Sequence, residues 1–148
     1  VKFGGFQKGA RKVLVVADNF GCGSSREAAV YALVDHGIRA VIAPSFGDIH
    51  YANQLQNGML PVIVSQAVCD RLRQQLRDRP GAQLTIDLEA QHITSADGST
   101  YDFQIDAAHK ERLVRGLDEI GLVMQFMPQI EAFETRYRAE LPWRTSER

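Results

Sequence analysis

The chain reads Asp18-Asn19-Phe20-Gly21-Cys22-Gly23-Ser24-Ser25-Arg26-Glu27 directly after the apolar run Val13-Leu14-Val15-Val16-Ala17. The apolar run is continuous and rich in β-branched residues, which is typical of a strand covered on both faces. Gly21 and Gly23 allow the positive φ angles of a tight turn and the close approach of a ligand to the backbone. The stretch therefore predicts a buried strand followed by a glycine turn.

A helix is predicted to follow this turn, because Ser24 with Glu27 three residues later has the pattern of a capping box. The free N–H groups and the positive dipole end of such a helix favour a carboxylate or phosphate. Arg26 adds a planar fork that can hold a carboxylate through two hydrogen bonds. The residues thus indicate an anion site, although the same pattern also occurs at turns where the serine only caps the helix.

A dinucleotide site is the weaker interpretation of the same glycines. Gly21 and Gly23 supply the first two positions of the G-x-G-x-x-G fingerprint. Arg26 stands where the third glycine would allow close packing of the helix, which argues against that fingerprint.

The rest of the chain predicts an α/β fold with two kinds of sheet. A βαβα order is followed by short segments that alternate apolar and polar residues, with Asp97-Gly98 as a turn, and this change predicts an antiparallel meander. Predicted helices cover about 25–36, 67–79, 107–115 and 128–138, and a further helix is predicted from its cap at Ser45 to about Gln56. Predicted strands cover 13–17, 39–43, 61–64, 83–88, 92–94 and 100–103.

Composition limits the class of protein. With 148 residues and 45% hydrophobic content, the chain suits one compact domain over residues 1–148. A net charge of −1 gives no footprint for nucleic acid or for an anionic membrane. No apolar run approaches the roughly 20 residues that span a bilayer, and two cysteines make no disulfide framework, so we expect a cytoplasmic protein.

The other candidate residues carry weaker signals. Cys22 lies in the anion turn, but a small residue filling a tight turn is a better interpretation than a nucleophile. His50 and Asn53 lie one turn apart on the second predicted helix and could reach a site, but a satisfied surface pair is the better interpretation. The remaining histidines fall in different elements and no cysteines are paired, so the spacing predicts no metal or iron–sulfur site in this chain.

Five blocks of sequence have recognisable patterns: 21–27, Ala43-Pro44-Ser45-Phe46-Gly47-Asp48-Ile49, Asn57-Gly58-Met59-Leu60-Pro61, 86–91 and 116–122. In order and spacing these blocks resemble the small subunits of 3-isopropylmalate dehydratase, in the aconitase superfamily. The similarity extends from about Gly9 to Phe133, and the glycine-serine-serine-arginine motif at 23–26 is highly specific to that superfamily.

The resemblance implies a swivelling β/β/α three-layer domain, as in the aconitase C-terminal domain. It implies that Ser24 is the catalytic base and that the backbone at Ser25, after Gly23, helps to hold that serine as an alkoxide. It further implies that Arg26 binds a substrate carboxylate. No cofactor is implied in this chain, whereas a 4Fe-4S cluster is expected in a large-subunit partner.

Two departures from the family pattern affect these expectations. Family members usually have a histidine two residues after the arginine, where this chain has Ala28. They also carry an N-terminal segment of some dozens of residues, with a substrate-selecting loop, before the first strand. The given sequence has only residues 1–12 before the strand predicted at Val13, so we expect this chain to lack that segment.

The resulting hypothesis is a hydro-lyase that is active only as a complex with its large subunit. It would interconvert 2-isopropylmalate and 3-isopropylmalate, a step of leucine biosynthesis. A related dehydratase of citramalate or 2,3-dimethylmalate is the closest alternative. A non-catalytic anion-binding module is the alternative from another class, and a nucleotide-binding oxidoreductase domain is a third.

Overall fold

The computed structural model of the chain describes residues 12–23, 26–116, 123–124, 126–141 and 143. The chain divides into two compact units, Val1–Gly116 and Leu117–Arg148. The candidate site residues all belong to the first unit. The expectation of a single domain over 1–148 stays a prediction.

The first unit opens with three parallel strands in the sheet order β1-β2-β3. Helices connect the strands. Parallel pairing requires such a crossover, because the chain must return to the end of the sheet at which the previous strand began. The elements are β1 (Lys12–Val15), α1 (Glu27–Asp35), β2 (Ile38–Ala43), α2 (Asp48–Gln56) and β3 (Leu60–Ile63). The predicted βαβα order is therefore confirmed.

The second half of this unit is the predicted antiparallel meander, flanked by two helices. Its three strands pair in the order β4-β5-β6. The elements are α3 (Gln66–Asp78), β4 (Thr85–Asp87), β5 (His92–Thr94), β6 (Thr100–Asp102) and α4 (Ala107–Arg115). In the second unit the structure describes one long helix, α5 (Met127–Glu140).

The two sheets share a hydrophobic core. Ala40 and Ile42 of β2, with Leu60 and Val62 of β3, belong to one cluster that also contains meander residues. On the other face, Val41 packs with residues of α1 in a second cluster. Because successive residues of a strand point to opposite faces, β2 is covered on both sides. The parallel sheet is therefore a buried middle layer. The other buried members of the first cluster are Leu55, Val64, Cys69, Leu72, Ile86, Leu88, Ile93, Phe103 and Leu113.

The turn between β5 and β6 is organised by Asp97, as its sequence predicts. The Asp97 carboxylate accepts hydrogen bonds from the Ser95 hydroxyl and from the Ser99 amide. These bonds, the Ser95 one first, lower the pKa of Asp97 to about 2. Gly98 follows at φ +86°, a conformation that glycine adopts without steric cost.

Of the two predicted serine caps, the one at Ser45 is wrong and the one at Ser24 lies outside the described residues. Helix α1 begins at Glu27 with Arg26 as its N-cap, and Arg26 makes no side-chain capping bond. Helix α2 begins at Asp48 with Gly47 as its N-cap, also without a side-chain bond. The Ser45 hydroxyl instead accepts a hydrogen bond from the Asn19 amide at 2.8 Å.

We expect Ile42→Ala to destabilise the isolated chain by about 2–5 kcal/mol, because it leaves a cavity in the middle layer. Ile42 is fully buried in β2, whereas Ile63, at the end of β3, is 45% exposed. Ile63→Ala is thus a matched control, expected to cost about 1 kcal/mol or less. Urea unfolding of both variants measures the difference. Equal losses of unfolding free energy would contradict the assignment of β2 as the buried centre of the sheet.

Candidate functional site

The candidate site lies at the carboxyl ends of the parallel strands, where the chain leaves β1 and β2. Beyond the strands, Phe20 and Phe46 form a further parallel bridge. The Phe20 amide donates to the Ser45 carbonyl at 3.1 Å, and the Gly47 amide donates to the Phe20 carbonyl at 2.9 Å. These bonds hold the turn after β1 against the loop after β2. In open α/β sheets, ligands bind beyond the carboxyl ends of the strands.

Two glycines allow this close approach. A Cβ on Gly47 would lie 3.1 Å from the Gly21 carbonyl oxygen and 3.3 Å from the Cys22 Cα. Gly21 itself has φ +78°, and Asn19 also has positive φ, a conformation that asparagine tolerates better than most residues. The turn is closed by a hydrogen bond from the Cys22 amide to the Asn19 carbonyl at 3.1 Å. Its backbone path is therefore fixed by contacts on two sides.

His50, on the first turn of α2, fills the space beside Gly21. A Cβ on Gly21 would lie only 2.2 Å from the His50 Cγ. The imidazole also meets the Phe20 ring edge to face, at 5.2 Å between centroids. His50 is 3% exposed, so the prediction of a surface pair with Asn53 is wrong for the histidine. Burial lowers the pKa of the His50 imidazole.

Two polar side chains on this face of α2 are buried without hydrogen bonds. His50 Nε2 and both amide atoms of Gln54 have no partner among the described residues. Gln54 is fully buried and lies four residues after His50, on the same face of the helix. An unpaired buried polar group costs about 1–3 kcal/mol. The sequence pattern did not reveal this pair, because polar residues at buried positions hide the apolar stripe.

The structure describes only two of the four predicted anion-binding residues, Gly23 and Arg26. Gly23 has φ +116° and is exposed, and apart from its chain neighbours no described residue has an atom within 4 Å of the position of a Cβ. Arg26 is exposed at the N-cap of α1, and its guanidinium makes no ion pair or hydrogen bond with other described residues. Ser24 and Ser25 lie outside the described residues. Arg26 and Gly23 are thus the observed members of the predicted set.

The first turn of α1 is tied to the end of α2. The Asn57 side-chain amide donates to Glu27 Oε1 at 3.1 Å and to the Asn53 carbonyl at 2.9 Å. A hydrogen bond to Glu27 raises the pKa of Tyr31, one turn further along the helix. Glu27 therefore acts as a link between helices instead of as a cap, and it fixes the start of α1 next to Arg26.

Within the described part of the chain, no three His, Cys, Asp or Glu side chains come together in a way that could hold a metal ion. No helix there is long and apolar enough to cross a membrane. Cys22 is exposed in the turn and Cys69 is buried in α3, both as free thiols.

Family models match most of the first unit. A model described as the aconitase C-terminal domain matches residues 4–67, and a model described as LeuD_N matches residues 70–107. Together they include the parallel strands, the glycine turn and the meander. These matches agree with the blocks of sequence that carry the resemblance.

Curated relatives are similar along nearly the whole chain. The chain is 51% identical over 132 residues to the 3-isopropylmalate dehydratase small subunit of Rhodopseudomonas palustris (strain TIE-1), covering 89% of this chain and 66% of that protein. It is 47% identical over 135 residues to the protein of the same description from Magnetococcus marinus, covering 91% and 63%. The chain thus spans slightly less than two thirds of the length of these relatives.

A solved structure has a similar fold. The crystal structure of 3-isopropylmalate dehydratase (leuD) from Methanocaldococcus jannaschii aligns with a TM-score of 0.60 and 29% sequence identity. The alignment covers 82% of this chain and 68% of that one. This likeness, with the parallel and antiparallel sheets described above, confirms the predicted fold class.

We expect Gly21→Ala to destabilise the chain more than Gly58→Ala. Both glycines have positive φ, which costs an alanine about 1–2 kcal/mol, but only Gly21 has a side chain, that of His50, in the space of the new methyl group. Overpacking adds about 1–3 kcal/mol at Gly21. Urea unfolding compares the two variants. Combining Gly21→Ala with His50→Ala should cost less than the sum of the two, and strict additivity would show that the ring and the glycine do not compete for space.

Acid should destabilise the wild type more than His50→Phe. The folded-state pKa of His50 lies below its ordinary value of 6.5, so the unfolded chain binds the proton more readily. Stability is therefore fully present above about pH 6.5 and declines as the pH falls toward the folded pKa. Unfolding free energies at about pH 7.5 and 5.5 measure the difference. The other three histidines are common to both proteins, so identical pH dependence would show that His50 does not contribute.

Proposed function

Because the chain belongs to the family of 3-isopropylmalate dehydratase small subunits, in the aconitase superfamily, we propose that it forms one half of a hydro-lyase active site. The reaction interconverts 2-isopropylmalate and 3-isopropylmalate by dehydration and rehydration, in leucine biosynthesis. A large subunit supplies the other half. The observation that carries the proposal is the 51% identity over 132 residues to a curated small subunit.

Three chemical tasks define such a reaction. A base removes a weakly acidic proton from carbon, a Lewis acid assists the departure of hydroxide, and cations hold the carboxylates. In the family the Lewis acid is a 4Fe-4S cluster in the large subunit, and the described residues here do not provide a ligand set for it. This chain's own tasks are therefore proton transfer and carboxylate binding.

Arg26 is the carboxylate-binding residue of the proposal. Its guanidinium is exposed and unpaired among the described residues, so it keeps its full set of donors for a ligand. It lies at the N-cap of α1, where no described side chain caps the helix, so the first N–H groups of the helix and its dipole favour an anion at the same place. A bidentate pair with arginine would fix the orientation of a carboxylate as well as its position.

Ser24 is the base of the proposal, and Ser25 contributes its backbone. A serine hydroxyl is a very weak base unless nearby N–H groups stabilise the alkoxide and water is excluded. Support comes from the described neighbours on either side of these serines. Gly23 has positive φ, and Arg26 is the N-cap of α1, without a capping bond from a described side chain. Closure against the large subunit would exclude the water.

Dehydratase activity tests these roles. We expect Ser24→Ala, assembled anaerobically with the large subunit, to lose about 10²- to 10⁴-fold in kcat on 3-isopropylmalate, because it removes the base. Arg26→Lys should raise KM by about 10- to 100-fold, because one point charge replaces the bidentate fork. Arg71→Lys, at an exposed position on α3, is the matched control and should behave as wild type.

Other results would redirect the proposal. Turnover of citramalate in place of isopropylmalate would assign the chain to the sister dehydratases. A complex with an intact cluster that binds dicarboxylate but turns over neither substrate would favour an anion-binding module. Wild-type kinetics in Ser24→Ala would show that another group is the base.

A further inference from the structure

The buried side chain of His50 packs against the glycine turn at Gly21. The three atoms closest to a Cβ placed on Gly21 all belong to His50, at 2.2, 2.3 and 2.5 Å. The imidazole therefore occupies the space in which every other residue type would carry its Cβ. Gly21 lies two residues before Gly23 and five before Arg26, so its backbone sets where the predicted site begins.

The imidazole is itself held firmly. It is buried against the Phe20 ring, and that ring in turn packs edge to face on Phe46 at 6.3 Å between centroids. The helix that carries His50 starts at Asp48, one residue after Gly47, whose amide bonds to the Phe20 carbonyl. The ring is thus a rigid element between the two loops, and it has little freedom to move away from Gly21.

The contact is one of shape and not of hydrogen bonding. The buried Nε2 atom has no partner among the described residues, so no protein group there would lose a hydrogen bond if that nitrogen were removed. Contacts to a flat ring, by contrast, would be lost on truncation and would leave a cavity beside a backbone that already has positive φ. The requirement at position 50 is therefore an aromatic surface.

We propose that His50 is a positioning residue, whose ring supports Gly21 and thereby fixes the path of the turn that leads to the carboxylate-binding Arg26. The effect on catalysis rests on the proposed function. The effect on the turn does not, because it concerns the backbone of this chain alone. A group displaced by about 1 Å can cost a large share of the rate, so loss of the ring should reduce activity without removing any group that touches the substrate.

Amide hydrogen exchange, read by NMR on the isolated chain, tests the effect on the turn. The reporters are the Cys22 amide, bonded to the Asn19 carbonyl, and the Gly47 amide, bonded to the Phe20 carbonyl. The amides of β2 report global unfolding, because they belong to the buried centre of the sheet. The ratio of reporter exchange to β2 exchange separates local opening from a general loss of stability.

Three variants make the comparison. His50→Ala removes the ring, and His50→Phe keeps an aromatic surface. Gln54→Ala is the matched control, since it truncates a buried, unpartnered polar side chain one turn further along the same helix and away from Gly21. We expect the exchange ratio to rise at least about tenfold in His50→Ala, and to stay close to wild type in the other two.

The overturning results are distinct. Equal ratios in His50→Ala and Gln54→Ala would show a merely structural role, and a raised ratio in His50→Phe would show that the nitrogen matters and not the ring. If His50→Ala does not fold, the comparison of His50→Phe with wild type still decides between ring and nitrogen. In the assembled enzyme, kcat/KM should fall about 10- to 100-fold in His50→Ala and recover in His50→Phe. Inactive wild-type enzyme would overturn the proposed function and leave the exchange result standing.

Discussion

The continued pairing of β1 and β2 beyond their ends is the interaction on which the candidate site depends. Backbone bonds between Phe20, Ser45 and Gly47 extend the parallel ladder past the strands, so the glycine turn is attached to the sheet and does not stand free as a loop. Binding groups on a loop become precise when a rigid scaffold fixes their start. Here the middle layer of the core provides that rigidity, and the turn inherits it.

The order of elements could be predicted from the sequence because each one has a local signal. Apolar β-branched runs marked β2 and β3, and the alternating segments with Asp97-Gly98 marked the meander. Helix α4 was predicted at its observed bounds. In the structure, Asp106 caps its start by accepting hydrogen bonds from the Ala108 and His109 amides, and Gly116 takes a left-handed conformation at its end.

The failures all involve partners distant in the chain. Ser45 has the spacing of a cap, but the Asn19 amide, 26 residues away, takes its hydroxyl as acceptor. His50 has the polarity of a surface residue, but Gly21 offers a recess that its ring fills. A pattern read along the chain cannot include a group that only the fold brings near. The glycine turn after β1 and the helix that begins beside Arg26 could therefore be predicted, whereas the packing of His50 against the turn could not, and the roles of the motif residues stay predictions.

The contacts of Gly21 with His50 and of Gly47 with the Gly21 carbonyl oxygen also limit which substitutions the two loops tolerate. A side chain at either glycine would press on the other loop, so a single substitution there would have to be matched by a shift or a smaller residue in that loop. Exposed neighbours such as Ile49, which is 60% exposed, are not under this restriction. The same packing that gives the turn its shape thus restricts the routes by which that shape can change.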